Sequence, residues 1–290
     1  MQRKLRLIAN RGEPCMPVLL VGLMLCLLFR AGLTMDAASQ ACRLFVTGVL
    51  PGLFPYMVLS LMLVSRLTGA MPVWGMILLG WGGGSPTGAR LLRLCPGLNR
   101  RGRVRVAVSC ATMSPMFLLG TVGAWLGSTA AGVVVLVSVL AGGGAAGWMA
   151  SRFAPAATPS PREPVQSAPL SLGEAIDQAA RTMLLVCGTM VMLRVLADLA
   201  AELVPGVALP LTTLLEVTTG VQVIAGLALP MPLRTALIAG ATGFGGAAII
   251  FQNRAMYDRG FLTLPMQCLW QGIHGCVSFL LALGMMLMAA

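Results

Sequence analysis

Four clusters of polar side chains interrupt otherwise apolar segments of this sequence. They are Ser85/Thr87, Thr112/Ser114, Glu216/Thr218/Thr219 and the stretch from Thr242 to Gln252. Helices that begin at Gly, Ser or Thr present backbone N–H groups without partners in the helix, and these groups bind carboxylate or phosphate. The clusters therefore predict a path for a small anionic substrate. The alternative is that small residues let helices pack closely.

Fourteen residues in and beside these clusters are predicted to bind the substrate. They are Ser85, Pro86, Thr87, Gly88, Arg90, Thr112, Ser114, Glu216, Thr218, Thr219, Gly243, Gly245, Gly246 and Gln252. Arg90 follows the SPTGA turn, where it could meet an anion or anchor the chain at the cytoplasmic face. We expect no catalytic residues, metal site or cofactor, because no serine–histidine–acid set, P-loop or metal-ligand spacing is present.

Glu216 is the most informative single residue. Its flanking residues are largely apolar, and an ionised carboxylate in a membrane is costly unless it is paired, protonated or used in ion coupling. We expect a functional role, with a structural ion pair to Arg90, Arg194 or Arg234 as the alternative. Arg194 and Asp198 are four residues apart on one helix and are expected to form a structural pair.

The composition identifies the environment that must hold these residues. The 290 residues are 57% hydrophobic and only 10% charged, with a mean hydropathy of +0.87. Soluble domains carry about 25% charged residues, so this chain lacks the polar surface needed to face water. We predict an all-α polytopic membrane protein and not a soluble enzyme.

The net charge of +11 comes from basic residues that are concentrated near predicted spans. Ten of the twenty Lys and Arg residues are Arg3, Lys4, Arg6, Arg11, Arg90, Arg93, Arg100, Arg101, Arg103 and Arg105. Basic loops of membrane proteins stay on the cytoplasmic side, where they also meet anionic lipid headgroups. The pattern predicts membrane lipid rather than nucleic acid as a partner, and a cytoplasmic N-terminus in a bacterial inner membrane.

Breaks in the apolar runs predict two similar halves. In the first, residues 71–81 form a half-length helix that stops at GGGSPTG, which predicts a re-entrant hairpin. An interrupted helix over 106–127 and a helix over 130–149 follow. In the second, a helix over 172–203 precedes an interrupted segment over 210–229, a helix over 232–251 broken near Gly243, and a last helix over 262–288.

The two halves begin on opposite sides of the membrane, which predicts an inverted repeat of the kind found in secondary transporters. The predicted organisation is an N-terminal basic segment and first transmembrane helix (1–43), a first membrane repeat (44–150), a cytoplasmic linker (151–171) and a second repeat (172–290). The first helix, with its basic flank, is also similar to a signal peptide, and we expect it to remain uncleaved. A polar connection at 34–43 is expected before the next span.

Five motifs in order carry a resemblance to a known family. They are VLPGLFPYMVLS (49–60), GGGSPTGARLL (82–92), SCATMSPMFLLGTVG (109–123), LLEVTTGV (214–221) and GFGGAAIIFQ (243–252). The chain resembles the sporulation integral membrane proteins of the YlbJ type, which carry the nucleoside-recognition or Gate domain. The resemblance implies export of dipicolinic acid from the mother cell across the outer forespore membrane.

Two alternatives remain beside this small-anion carrier. One is a permease for nucleoside-like or other metabolites, as the Gate-domain name suggests, and the other is a non-transporting membrane scaffold of sporulation. A scaffold has no need of paired broken helices with polar residues inside the membrane. The oligomeric state stays open, with a homo-oligomer among the alternatives.

Overall fold

The computed structural model describes residues 15–67, 71–94, 97–155, 169–258 and 260–289, and these residues form helices and connecting turns without a strand. The basic residues at the N-terminus and most of the predicted linker lie outside the described residues. Five helices are long and apolar enough to span a membrane, as expected of an integral membrane protein. They are Ala31–Arg66, Thr129–Phe153, Leu172–Leu203, Met231–Met256 and Leu264–Met288.

The outer surface of the bundle is apolar. Leu59, Leu184 and Leu280 are each about two-thirds or more exposed, at 66%, 74% and 65%. Moving such side chains from water into lipid is favourable by roughly 25 cal/mol per Å² of apolar surface. The helices therefore present to their surroundings the surface that a bilayer solvates.

The first half begins with α1 (Cys15–Phe29) and one long helix made of α2 (Ala31–Leu44), a π-helical turn and α3 (Leu50–Arg66). The expected polar connection at 34–43 is therefore wrong, and the helix of the first half begins at Ala31 instead of Leu44. The physical reason is amphipathicity. Ala37 and Ala41 are buried, while Asp36 and Arg43 lie on the exposed face of the same helix.

The remaining helices of the first half are α4 (Val73–Gly83), α5 (Thr87–Leu94), α6 (Arg100–Ser109), a π-helical segment (Phe117–Val122) with α7 (Gly123–Leu126), and α8 (Thr129–Phe153). The second half contains α9 (Leu172–Leu203), α10 (Ala208–Leu215), α11 (Val217–Ala225), α12 (Met231–Phe244), α13 (Gly246–Met256) and α14 (Leu264–Met288). The predicted breaks near residues 84–86, 110–115, 216 and 245 are confirmed.

Corresponding long helices of the two halves lie side by side and run antiparallel. Along α2–α3 and α9, Arg30 pairs with Glu202, Gln40 accepts a hydrogen bond from Arg194, and Arg66 bonds to the Leu170 carbonyl. Along α8 and α14, Ser138 contacts Met285, and Phe153 stacks near Trp270. The sequence numbers rise along one helix as they fall along the other.

The two ends of the bundle differ in charge. We call the end that carries Arg66, Arg100, Arg103 and Arg254 the basic end. There Arg103 pairs with Asp258 at 2.9 Å, and Arg100 and Arg254 donate to the carbonyls of Phe261 and Leu262. The opposite end carries the Arg30–Glu202 pair at 2.7 Å.

Candidate functional site

The four helix breaks meet in the interior, around one cavity. It is lined by residues of both halves: Val49, Leu53, Ser85, Met113, Ser114, Phe117, Val186, Met190, Glu216, Val217, Thr218, Ala248, Ile249 and Gln252. Counted with its open mouth and the solvent space there, the space between the lining atoms is ≈ 440 Å³. We call it the central cavity.

The first wall of the central cavity is a helical hairpin. Its arms α4 and α5 touch at Gly80 and Gly88, and Val73 at its start packs on Gly102 near the start of α6. Both ends of the hairpin therefore lie at the basic end, while its tip at Gly84–Pro86 points inward. The tip is fixed to the break between α6 and α7, where Ser85 N donates to Thr112 O at 2.6 Å.

The tip of the hairpin requires glycine at position 84. The φ of Gly84 is +64°, a left-handed conformation that side chains rarely adopt. A Cβ on Gly84 would lie 2.5 Å from Ser114 N, so the two backbones also approach too closely for any side chain. The tip of the hairpin and the break in the next helix therefore form a single packed unit.

The second wall repeats this arrangement from the opposite end. The short helices α10 and α11 follow α9 at that end and fold against each other, because Gly220 packs on Thr213. Their junction at Glu216 meets the break between α12 and α13. There Gly246, with a φ of +67°, packs against the carbonyl oxygens of Leu214 and Leu215.

Glu216 occupies the start of α11 and faces the central cavity. It is 1% exposed, and its two carboxylate oxygens accept hydrogen bonds from Thr218 N at 3.1 Å and Thr219 N at 2.7 Å. These donors and the positive end of the helix macrodipole stabilise a carboxylate that has no cation within ion-pair distance in the described part of the chain.

Arg194 is linked to Glu216 through Thr219. Arg194 Nη1 donates to Thr219 Oγ1 at 2.9 Å, and Arg194 Nε lies 2.9 Å from both carboxylate oxygens of Asp198. The predicted Arg194–Asp198 pair is confirmed. The charge of Arg194 is already balanced by Asp198. Among the described residues that line the cavity, Glu216 is the one titratable side chain.

Hydrogen bonds between helices fix the polar side chains of the cavity. Ser85 Oγ donates to Asn253 Oδ1 at 2.7 Å, which joins the first hairpin to α13 of the other half. Gln252 Nε2 donates to Thr189 Oγ1 at 2.9 Å. Among the described residues, the Gln252 side-chain carbonyl has no donor and the Ser114 hydroxyl proton has no acceptor, since Ser114 Oγ accepts from Phe117 N, so both groups can bond a ligand.

The cavity is narrow as it stands. The centre of a water molecule reaches only ≈ 40 Å³ of it, which is room for about three waters. Apolar walls from Val186, Met190, Ile249 and Phe117 enclose the polar groups. The arrangement suits a small molecule that makes several hydrogen bonds, and the cavity would have to widen to admit one larger than a few waters.

Five of the fourteen predicted binding residues line the central cavity: Ser85, Ser114, Glu216, Thr218 and Gln252. Three further predicted residues lie next to lining residues in the sequence: Pro86, Thr112 and Thr219. The Thr112 carbonyl accepts a hydrogen bond from Ser85 N, and Thr219 N donates one to the Glu216 carboxylate. Thr87 bonds the Gly83 carbonyl, and Gly88 packs on Gly80 and Cys110 within the hairpin.

Arg90 is a correction to the predicted site. It lies one turn beyond the tip, outside the cavity lining, and its Nη2 donates to Gln178 Oε1 on α9 at 2.8 Å. The helix direction explains this position, because α5 carries Arg90 away from the tip toward the basic end. Its buried Nε has no hydrogen-bond partner among the described residues. Of the two predicted roles, an anchor near the basic end agrees better with this position.

The predicted glycines serve helix packing. Gly243 fits against Ser278 and Gly275 of α14, and Gly245 and Gly246 form the left-handed turn between α12 and α13. None of the three lines the central cavity. The close-packing alternative therefore describes these positions, while Ser85, Ser114, Glu216, Thr218 and Gln252 face the cavity.

A second cavity lies between the central cavity and the basic end. It is lined by Ala107, Val108, Ala111, Asn253, Tyr257, Leu262, Gln267, Trp270 and Gln271. Asn253 contributes to its wall and also bonds Ser85, so this hydrogen bond separates the two cavities. The sequence reasoning missed Asn253, Gln267 and Gln271. The sequence feature that could have identified them is a side-chain amide in or beside an apolar segment, the same feature that singled out Gln252.

Comparisons with known proteins show no relationship: no family model matches the chain, and neither a curated protein nor a solved structure matches it.

Proposed function

We propose that this chain is a secondary carrier that moves a small organic anion across the membrane through the central cavity. One observation carries the proposal: two hairpins and two broken helices, one of each from either half, meet at a polar cavity inside an apolar bundle. Non-helical backbone at membrane depth is tolerated only where protein or a water-filled cavity covers it. Secondary transporters bind their substrates at such places.

We further propose that the halves form an inverted repeat with two re-entrant hairpins. The hairpins start from opposite ends of the bundle, and the corresponding long helices run antiparallel. Both features support two similar units related by an axis in the membrane plane. Alternating access would then require rocking of the halves around the Ser85–Asn253 contact.

The proposed substrate is dipicolinate, and the proposed location is a bacterial inner membrane, with the outer forespore membrane as the specific site. The five motifs that resemble YlbJ-type proteins support both choices, and each of them supplies lining residues of the central cavity, among them Val49, Ser85, Ser114, Glu216 and Gln252. Dipicolinate is a planar aromatic dianion, and the cavity offers it both apolar walls and hydrogen-bonding groups.

A nucleoside-like metabolite is the second candidate. The observation that favours it is the acceptor-rich lining, since Glu216 and the Gln252 carbonyl accept hydrogen bonds and no cation lines the cavity in the described residues. Sugar hydroxyl groups donate to such acceptors. A scaffold function without transport is a third reading, which leaves the buried polar cavity without a role.

The test is uptake of labelled dipicolinate into vesicles that contain the purified protein. We expect saturable uptake, and we expect the Ser85 hydroxyl, which lines the cavity, to turn from Asn253 to the substrate. The Ser85→Ala variant should then slow uptake about tenfold, since one such hydrogen bond is worth about 1.4 kcal/mol. The matched control is Ser151→Ala, whose hydroxyl bonds the Trp148 carbonyl of its own helix, away from the central cavity. Uptake of nucleosides in place of dipicolinate would favour the second candidate, and uptake of neither by folded protein would contradict the carrier.

A further inference from the structure

The central cavity poses a conflict of charge for the proposed anion. Glu216 is buried in the cavity wall, and its oxygens are acceptors when ionised. An anion bound in the same enclosed space would face this carboxylate across a medium that screens charge poorly. Two carboxylates that share one site do not both stay ionised, because like charges nearby disfavour the charged form.

No neighbouring charge removes this conflict. On α9, Arg194 faces the α11 start through Thr219 but is neutralised by Asp198. On α12, Arg234 donates to the Ala225 carbonyl at the far end of α11. The described lining residues that α3, α4–α5, the π-helical segment and α13 bring to the cavity are uncharged.

We propose that Glu216 takes up a proton when the anion binds, so that the carrier moves a proton together with its substrate. This inference rests on the proposed function. Protonation changes the site from acceptor to donor, because the Glu216 O–H can donate to an anionic oxygen of the substrate. One of the two backbone N–H groups at Thr218 and Thr219, released from the protonated oxygen, then also becomes available to the anion.

The coupling follows from linkage between the two binding events. If the anion binds the protonated form more tightly, then the bound anion holds the proton more tightly by the same factor. Both ligands then cross the membrane in one closed state of the cavity. An acidic residue inside a membrane span is a common site of proton coupling, and the location of Glu216 at the cavity explains how coupling would arise here.

The experiment measures proton and anion movement in the same vesicles. Dipicolinate is added outside vesicles that hold a trapped pH dye, with the membrane potential clamped at zero by potassium and valinomycin. We expect acidification of the interior together with uptake. A pH difference of one unit, acidic outside, should raise accumulation about tenfold for one proton per anion.

Variants of Glu216 assign the proton to this residue. Glu216→Gln keeps one acceptor for the α11 N–H groups, and we expect it to exchange dipicolinate without proton movement and without response to the gradient. Glu216→Asp keeps a carboxyl group and should keep proton movement. The matched control is Glu202→Gln, which removes an exposed acid at the opposite end and should behave as wild type.

Each other result overturns the inference in a distinguishable way. Uptake by wild type without acidification would leave the carrier standing and remove its proton coupling. Acidification by Glu216→Gln, or proton-free transport by Glu216→Asp, would assign the proton elsewhere. No dipicolinate uptake under any gradient by folded wild type would overturn the proposed function and this inference with it.

Discussion

Some buried polar residues of this protein find their hydrogen-bond partners close by in the sequence, and others find them in the other half of the chain. Glu216 is satisfied locally, because it caps the helix that begins at the next residue. Ser85 is satisfied by Asn253, which is 168 residues away in the other half. A local cap can be anticipated from one segment, whereas the Ser85–Asn253 bond exists only because two halves pack together.

The Ser85–Asn253 bond should contribute measurably to stability. Both residues are buried, so removing one leaves the other without its partner, which costs about 1–3 kcal/mol. We expect Ser85→Ala and Asn253→Ala each to lower the unfolding temperature in detergent, and the double variant to lower it by less than the sum. If the losses of the two single variants add fully in the double variant, the two side chains do not interact in the detergent-solubilised protein.

Glycine sets the distance between long helices at the centre of the bundle. Gly142 and Gly143 of α8 pack on His274 and Ser278 of α14, and Gly275 of α14 packs on the Gly240 carbonyl. Membrane helices gain no hydrophobic free energy by associating within lipid, so close packing at small residues supplies the attraction. The helices α8, α12 and α14 therefore form one closely packed group, which we call the frame.

Two glycines of α14 give a matched test of this frame. A Cβ at Gly275 would lie 2.8 Å from the Gly240 carbonyl oxygen, whereas nothing lies within 4 Å of a Cβ at Gly272. We expect Gly275→Ala to destabilise the protein by about 1–3 kcal/mol through overpacking, and Gly272→Ala to be neutral or slightly stabilising. Equal unfolding temperatures for the two variants would contradict the close contact between α12 and α14.

At the scale of the whole molecule, charge separates the two ends. Arg66, Arg100, Arg103 and Arg254 gather at the basic end, although they come from three different helices, α3, α6 and α13. The hairpin α4–α5 produces this arrangement, since it returns the chain to the end from which it started. A full crossing at that point would have placed the arginines that follow residue 99 at the other end.

The charge asymmetry predicts that the basic end faces the cytoplasm. In a cysteine-free background, we expect a membrane-impermeant maleimide added to intact cells to label a cysteine at Glu202, at the opposite end, and to spare one at Asp177, near the basic end. Both side chains are exposed, at 36% and 59%. Labelling of Asp177→Cys alone would reverse the orientation. After lysis both positions should react, which controls for accessibility.

The sequence by itself determined the elements, because their signals are local. Apolar runs predicted the helix Leu172–Leu203 with its observed bounds, and glycine, proline and Glu216 predicted the breaks. The prediction from local sequence is wrong at 34–43, because the polar face of an amphipathic helix resembles a polar connection. There, two buried alanines on the opposite face held the signal.

Tertiary structure alone decided which polar residues face one another. Arg90 directly follows a correctly predicted tip, yet the direction of α5 carries it out of the cavity to Gln178. Asn253 lies one residue beyond Gln252, yet its side chain bonds the other half. Such contacts depend on how helices distant in sequence are rotated and packed, and no periodicity within one segment contains that information.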